Sequence, residues 1–219
     1  MAKVVVTGGN RGIGLELCRE LVRRGDEVIA TCRGGAGGLE GLGVRVEAGV
    51  DVADEASVKA LAGRLEGERV DVLINNAGVL THEDLNSLDF GRIERQMAIN
   101  AYGPLRVTHA LLGNLDAGSK VIIVTSRMGS IEDNTSGRYY GYRMSKAAVN
   151  MAGMSLSHDL RPRRIAVGIL HPGMVATGMT GHNGIPAADS ARMLIERVDA
   201  LTLETSGVFW HANGERLPW

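Results

Sequence analysis

The sequence predicts an α/β fold, a doubly wound parallel sheet held between two layers of helix. Short apolar runs alternate with helical patterns along the chain, the order that βαβ units produce. Those runs are apolar on both faces, so each needs helices above and below it. A glycine-rich turn separates the first run from the first helical pattern, and ligands of such sheets sit at the carboxyl ends of the strands. With 219 residues and no internal repeat or composition break, one domain over 1–219 is expected.

Val4–Thr7 opens the chain as a β-branched strand. Gly12–Arg24 follows as a helix, with Ile13, Leu17, Leu21 and Val22 at helical spacing and Gly25 closing it. Val28–Cys32 and Val44–Glu47 read as the second and third strands, and Ser57–Leu65 as a helix with Val58, Leu61, Ala62 and Leu65 on one face. Val70–Asn75 is the fourth strand. Phe90–Leu112 then reads as one long helix, Lys120–Thr125 as a buried strand and Tyr142–Asp159 as a second long helix. Ala166–His171 and Gly207–His211 are the last strands. The glycine cluster from Gly34 to Gly43 reads as a flexible connection, and Met174–Asp189 as the segment expected to move.

Composition removes several function classes. Twenty-four basic residues face 25 acidic ones, so no bulk charge points to nucleic acid or a membrane. Cys18 and Cys32 lack CxxC spacing and sit among apolar neighbours, which points to reduced thiols and a cytoplasmic setting. The apolar run after Met1-Ala2-Lys3 is too short for a signal sequence or a membrane span. None of the six histidines has metal-ligand spacing, so no metal site is expected.

The turn Thr7-Gly8-Gly9-Asn10-Arg11-Gly12-Ile13-Gly14 lies between a strand and a helix. Bare Cα atoms there let backbone N–H groups approach a pyrophosphate at the positive helix end. A carboxylate at the tip of the second strand would mark NAD. Here the tip reads Ala30-Thr31-Cys32-Arg33, and Arg33, with Arg11 in the turn, suits a 2′-phosphate. NADP(H) is therefore favoured over NAD(H).

Tyr142 and Lys146 stand four residues apart, hence on one helix face. A nearby cation favours phenolate and is expected to bring the phenol's pKa down toward working pH. Such a Tyr can give a proton to a carbonyl oxygen or take one from an alcohol. Ser126, at the end of a buried strand, could donate to the same oxygen. Ser130 competes with it, while Tyr139 and Tyr140 lack the four-residue offset to Lys146. Asn100 falls inside an apolar helical stretch beside Gly103 and Pro104, where its amide needs partners and a kink is plausible.

These segments, in this order along nearly the full length, resemble the short-chain dehydrogenase/reductase family. The stretch from Ser126 to Arg143 and the terminal Leu217-Pro218-Trp219 are similar to its sniffer-like carbonyl reductase and C-factor-like branches. The resemblance implies a single Rossmann-type αβα sandwich and NADPH-dependent reduction of an aldehyde or ketone. It implies a catalytic set of Asn100, Ser126, Tyr142 and Lys146, with Asn100 holding a water that links Lys146 to solvent. Cofactor contacts would come from Gly8, Asn10, Arg11, Gly12, Ile13, Gly14 and Arg33. Asp51 would accept from the adenine amino group beside Val52, although a cap for the helix near Ser57 is its competing role. Asn75, Ala77 and Gly78 would border the ribose, and Tyr142, Lys146, Pro172, Gly173, Val175 and Thr177 the nicotinamide. A homo-oligomer built on the two long helices is implied, as is a signalling alternative in which turnover is incidental. The substrate wall would come from residues after Ser126, before Tyr142 and between Met174 and Pro186.

Overall fold

The computed structural model describes residues 1–219. Seven strands form one parallel sheet: β1 (Lys3–Thr7), β2 (Glu27–Cys32), β3 (Arg45–Ala48), β4 (Val70–Asn75), β5 (Leu115–Val124), β6 (Ala166–His171) and β7 (Phe209–His211). Their spatial order is β3-β2-β1-β4-β5-β6-β7. The order reverses between β1 and β4, whose pairing places Val4 opposite Val72 and Val6 opposite Ile74. A crevice at that reversal is the expected ligand position.

Six helices flank the sheet: α1 (Gly12–Arg23), α2 (Glu55–Arg64), α3 (Phe90–Gln96), α4 (Gly103–Ala110), α5 (Tyr140–Asp159) and α6 (Ala187–Ala200). Alternate residues of each strand feed opposite layers. Val4 and Val6 pack with Leu17 and Leu21 of α1 and with Leu194 and Val198 of α6. Val5 points to the other side, among Leu61 of α2, Val107 of α4 and Val149 of α5. Both faces of the sheet are thereby removed from water, as the two-sided apolar runs require.

Four sequence expectations need correction. The Phe90–Leu112 helix is broken by a π turn over Met97–Tyr102, which carries Asn100. Residues 187–200 form α6, which the sequence reading did not assign; its Ala191, Leu194, Ile195 and Val198 are buried. The glycine-rich stretch after β2 is pinned at its middle, while Gly34, Gly35, Gly41 and Gly43 face open space. Leu39 in its short 3-10 turn is buried in the core, and a Cβ on Gly38 would fall 2.4 Å from Leu15. The fifth strand begins at Leu115, five residues before the expected Lys120, with a register irregularity between Val70 and Val72 of its partner β4. Met174–Asp189 is a strap closed by the Val175–Ile185 bridge and by Thr177 and Thr180, which cap one another.

The chain finishes by turning back along β7. Glu215 O accepts from His211 N at 2.8 Å and Phe209 O from Leu217 N at 2.9 Å, so the tail occupies the outer edge of the last strand. No helix is long and apolar enough to cross a membrane.

Candidate active site

The turn between β1 and α1 is shaped by what its glycines exclude. Gly8 and Gly12 adopt left-handed φ of 67° and 55°. A Cβ on Gly14 would sit 2.2 Å from Gly8 O, so the turn closes only around a bare Cα. Arg11 at the α1 N-cap offers no side-chain hydrogen bond, and no acidic residue lies in the first turn. The first N–H groups of α1 are therefore left for an anion.

Asn76 fastens this turn to the end of β4, its Nδ2 donating to Thr7 O at 3.0 Å and Gly8 O at 3.2 Å. Thr7 Oγ1 accepts in return from the N–H groups of Asn76 and Ala77. Thr7 was not singled out from the sequence, because its partner lies some 70 residues away along the chain.

The other residues expected at the cofactor follow the carboxyl ends of their strands. Asn10 Nδ2 donates to Gly35 O at 3.1 Å, which draws the segment after Arg33 against the turn. Arg11 and Arg33 are both exposed. Asp51 Oδ1 accepts from Ala53 N at 2.9 Å, and it is Asp54, not Asp51, that caps α2. Val52 is buried against Gly103. Asn75 points its amide inward to Thr108 Oγ1 at 3.2 Å, which leaves its backbone for any contact in the crevice. Across the opening, a Cβ on Gly12 would meet Thr177 Cγ2 at 3.4 Å, so the strap that follows Pro172, Gly173 and Val175 reaches the glycine turn.

Ser126, Tyr142 and Lys146 come together at the carboxyl end of β5, all three buried. Ser126 starts a 3-10 turn and accepts from Met128 N at 3.2 Å. Its side chain lies near enough to the Tyr142 phenol to act on its ionisation. Lys146 Nζ donates to Val124 O at 3.0 Å and lies 5.7 Å from the centre of the Tyr142 ring. A Cβ on Gly129 would fall 2.7 Å from Lys146 C, so this glycine lets the Ser126 turn lie directly on α5. Ser130 is engaged elsewhere, its hydroxyl donating to Trp219 O at 3.0 Å.

Asn100 supports this group from below. Its amide exchanges bonds with Val79, accepting at 2.9 Å and donating at 2.8 Å, and also donates to Ser145 Oγ at 3.0 Å. Ser145 passes the contact on to Tyr142 O at 2.8 Å. The sequence reading gave Ser145 no role. Both Asn100 Oδ1 and Lys146 Nζ border Gly78, at 3.4 and 3.8 Å from where its Cβ would be.

The electrostatics depart from expectation at Tyr142. Burial raises its pKa, and the Ser126 side chain offsets this in part. The lowering expected from Lys146 does not prevail, because both groups are out of water and desolvation penalises phenolate first. Burial pushes Lys146 down to about 8. Next to them His171 is held neutral, burial and then His211, Arg127 and Lys146 bringing it to about 3.

The lysine shift predicts a pH signature. An unfolded Lys keeps its proton to about pH 10.4, whereas the folded one releases it near 8. Between those values the unfolded chain binds more protons, so this group makes stability rise with pH. From pH 8 to about 9.5, below the tyrosine range, the urea midpoint of the wild type should climb relative to Lys146→Met. A difference that stays flat with pH would contradict the shift.

A doubly wound sheet, an uncapped glycine turn and a buried Ser-Tyr-Lys cluster together define a nucleotide-dependent oxidoreductase site. The family model for short chain dehydrogenase matches residues 2–185, and the chain belongs to that family. It is 46% identical over 226 residues to 1-hydroxy-2-glutathionyl-2-methyl-3-butene dehydrogenase of Rhodococcus sp. (strain AD45), with both chains covered completely. It is 49% identical over 154 residues to C-signal of Myxococcus xanthus, covering 68% of this chain and 93% of that one. Among solved structures, the NADPH-bound carbonyl reductase from chicken fatty liver superposes with a TM-score of 0.91 at 29% identity, over 100% of this chain and 99% of the other.

Proposed function

We propose that residues 1–219 act as one unit that reduces an aldehyde or ketone with NADPH, or oxidises the matching alcohol with NADP. The observation that carries this reading is the gathering of Ser126, Tyr142 and Lys146, all buried, at the carboxyl end of β5, with Lys146 Nζ 5.7 Å from the Tyr142 ring centre. When bound, the nicotinamide supplies the hydride that reaches the carbonyl carbon. Tyr142 Oη gives its proton to the carbonyl oxygen, which completes the alcohol. Ser126 Oγ, whose lone pair is engaged by Met128 N, directs its own proton at the same oxygen and steadies the charge that develops there. Lys146, protonated below about pH 8, is the cation from which Tyr142 recovers its proton. Asn100 is a positioning residue in this scheme, acting through Val79 and Ser145, and the water it would hold beside Lys146 belongs to the same proposal.

The cofactor assignment follows the crevice. Gly8, Asn10, Gly12, Ile13 and Gly14 would hold the pyrophosphate at the free end of α1, Asp51 and Val52 the adenine, and Asn75, Ala77 and Gly78 the ribose. Pro172, Gly173, Val175 and Thr177, with Tyr142 and Lys146, would hold the nicotinamide. Arg33 and Arg11 would hold the 2′-phosphate, in keeping with the NADPH-bound relative from chicken. Replacing Arg33 by Asp removes a charge-assisted contact worth about 1.5–3 kcal/mol, a factor of about ten to a hundred. The kcat/KM preference for NADPH over NADH should fall by that factor. An unchanged ratio removes Arg33 from the phosphate site.

The overall test is NADPH oxidation across a panel of aldehydes and ketones, with the reverse reaction on alcohols. The Rhodococcus relative, named a dehydrogenase of a hydroxy compound, puts alcohols on that panel. The likeness to C-signal supports a second reading, a signalling protein in which turnover is incidental. That reading gains if wild-type turnover equals that of a variant lacking the Tyr142 hydroxyl.

A homo-oligomer is also proposed, with a second copy covering the outer face of α3, α4 and α5. Phe90, Tyr102, Leu105, Met144 and Met151 are all exposed there, between 44% and 69%. Light scattering should give at least twice the mass of one chain, and a monomer at micromolar concentration would refute it. Free, buried Cys18 and Cys32 fit a reducing cytoplasm.

A further inference from the structure

The loop that follows Ser126 is held at its far side by the end of the tail. Trp219 O accepts three hydrogen bonds from consecutive residues of that loop: Ser130 Oγ at 3.0 Å, Ile131 N at 3.0 Å and Glu132 N at 2.9 Å. The Trp219 ring is stacked on Phe209 of β7, centroids 5.3 Å apart and planes at 24°. Leu217, two residues earlier, is buried beside Ile169 and Phe209, so this oxygen is carried on a rigid base. Ser130 Oγ also accepts from Asp133 N, and Arg127 pairs with Asp133, which closes the loop on itself. On its inner side the same loop rests through Gly129 on the backbone of Lys146.

We infer that Trp219 is a positioning residue for the reaction, a clasp that presses the Ser126 loop against α5 so that Ser126 meets Tyr142. The inference rests on the oxidoreductase reading above. It adds a determinant that touches neither substrate nor cofactor and lies 93 residues from Ser126 in sequence. Three donors on one acceptor form a shared anchor: losing the acceptor removes the partner of the buried Ser130 hydroxyl and of two N–H groups on exposed residues, which turn to water, so the loop is released from the tail. The glycine turn, Arg33 and Asp51 lie on the other side of the crevice and gain nothing from this clasp.

Three variants test it: deletion of Trp219, which removes the ring and the accepting oxygen from their place; Trp219→Ala, which leaves that oxygen without its stacked base; and Trp219→Phe, which keeps both. NADPH affinity, from the nucleotide's own fluorescence, should stay within about twofold in all three. Carbonyl kcat/KM should fall about tenfold to a hundredfold in the deletion, the loss expected of a misplaced catalytic group. Trp219→Ala should lie between, and Trp219→Phe should restore activity. Wild-type kinetics in the deletion would overturn the inference. So would a parallel fall of NADPH affinity and kcat, which marks general destabilisation. Amide hydrogen exchange at Ile131 and Glu132 reads the clasp without turnover. Protection should vanish on deletion, and persisting protection overturns the clasp even if the wild type reduces no carbonyl on the panel.

Discussion

Turnover of Tyr142→Phe should fall about 10²- to 10⁴-fold, the usual worth of a positioned general acid, while NADPH affinity and the fold survive. The ring is buried and keeps its packing; only the hydroxyl is lost. Removing it relieves the burial of a polar group, so the stability should change by no more than about 1 kcal/mol. Absorbance of NADPH follows turnover, and fluorescence titration follows binding. A variant as active as the wild type would show that the proton comes from elsewhere, with Tyr139 and Tyr140 as the phenols to examine next. Ser126→Ala should lower the rate less, since the oxygen would keep its proton donor.

Gly14→Ala should damage both stability and cofactor binding, although it adds a single methyl. The new Cβ would lie 2.2 Å from Gly8 O and 2.5 Å from Asn76 Nδ2, and the first of these is backbone that cannot rotate away. Overpacking of this kind costs about 1–3 kcal/mol, which in a chain of this size lowers the melting temperature by roughly 2–4 °C per kcal/mol. A drop of about 2–12 °C is therefore expected by thermal melt. The NADPH dissociation constant should rise at least tenfold, because the N–H groups of Gly12 and Ile13 must shift with the turn. Gly63 on the exposed side of α2 is the control: a Cβ there meets nothing within 4 Å. Alanine at that position should be neutral or slightly stabilising. Wild-type melting and affinity for Gly14→Ala would mean that the turn is looser than its contacts imply.

The alternation of strands and helices was readable because each β run is buried on both sides and each helix keeps a continuous apolar stripe. Tyr142 and Lys146 were readable because both sit on one uninterrupted helix. The choice between Ser126 and Ser130 was open in the sequence, since the deciding partner of Ser130 is Trp219, 89 residues away. The π turn was hidden for a similar reason. One inserted residue barely disturbs a helical repeat, and the groups that reward it, Val79 and Ser145, come from other elements. Helix α6 was missed at its start: Pro186, its N-cap, lies inside the strap read as a mobile segment, and its side chain makes no capping bond to announce a helix. The direction of the Tyr142 shift was illegible because spacing reports the neighbouring charge and says nothing of the water excluded around it.

The tail along β7 bears on how copies of this protein behave in a crowded solution. A seven-stranded open sheet has two borders, and each could template a foreign strand. At one border the tail has already taken the hydrogen-bonding positions of Phe209 and His211. At the other, β3 is four residues long and carries Arg45 and Glu47, which are tied into ion pairs with Glu68 and Arg64. Neither border invites strand addition, so the folded protein should resist ordered aggregation. Removing the tail from Glu215 onward, whose backbone covers that edge, would expose β7, and turbidity measured by light scattering is the expected outcome.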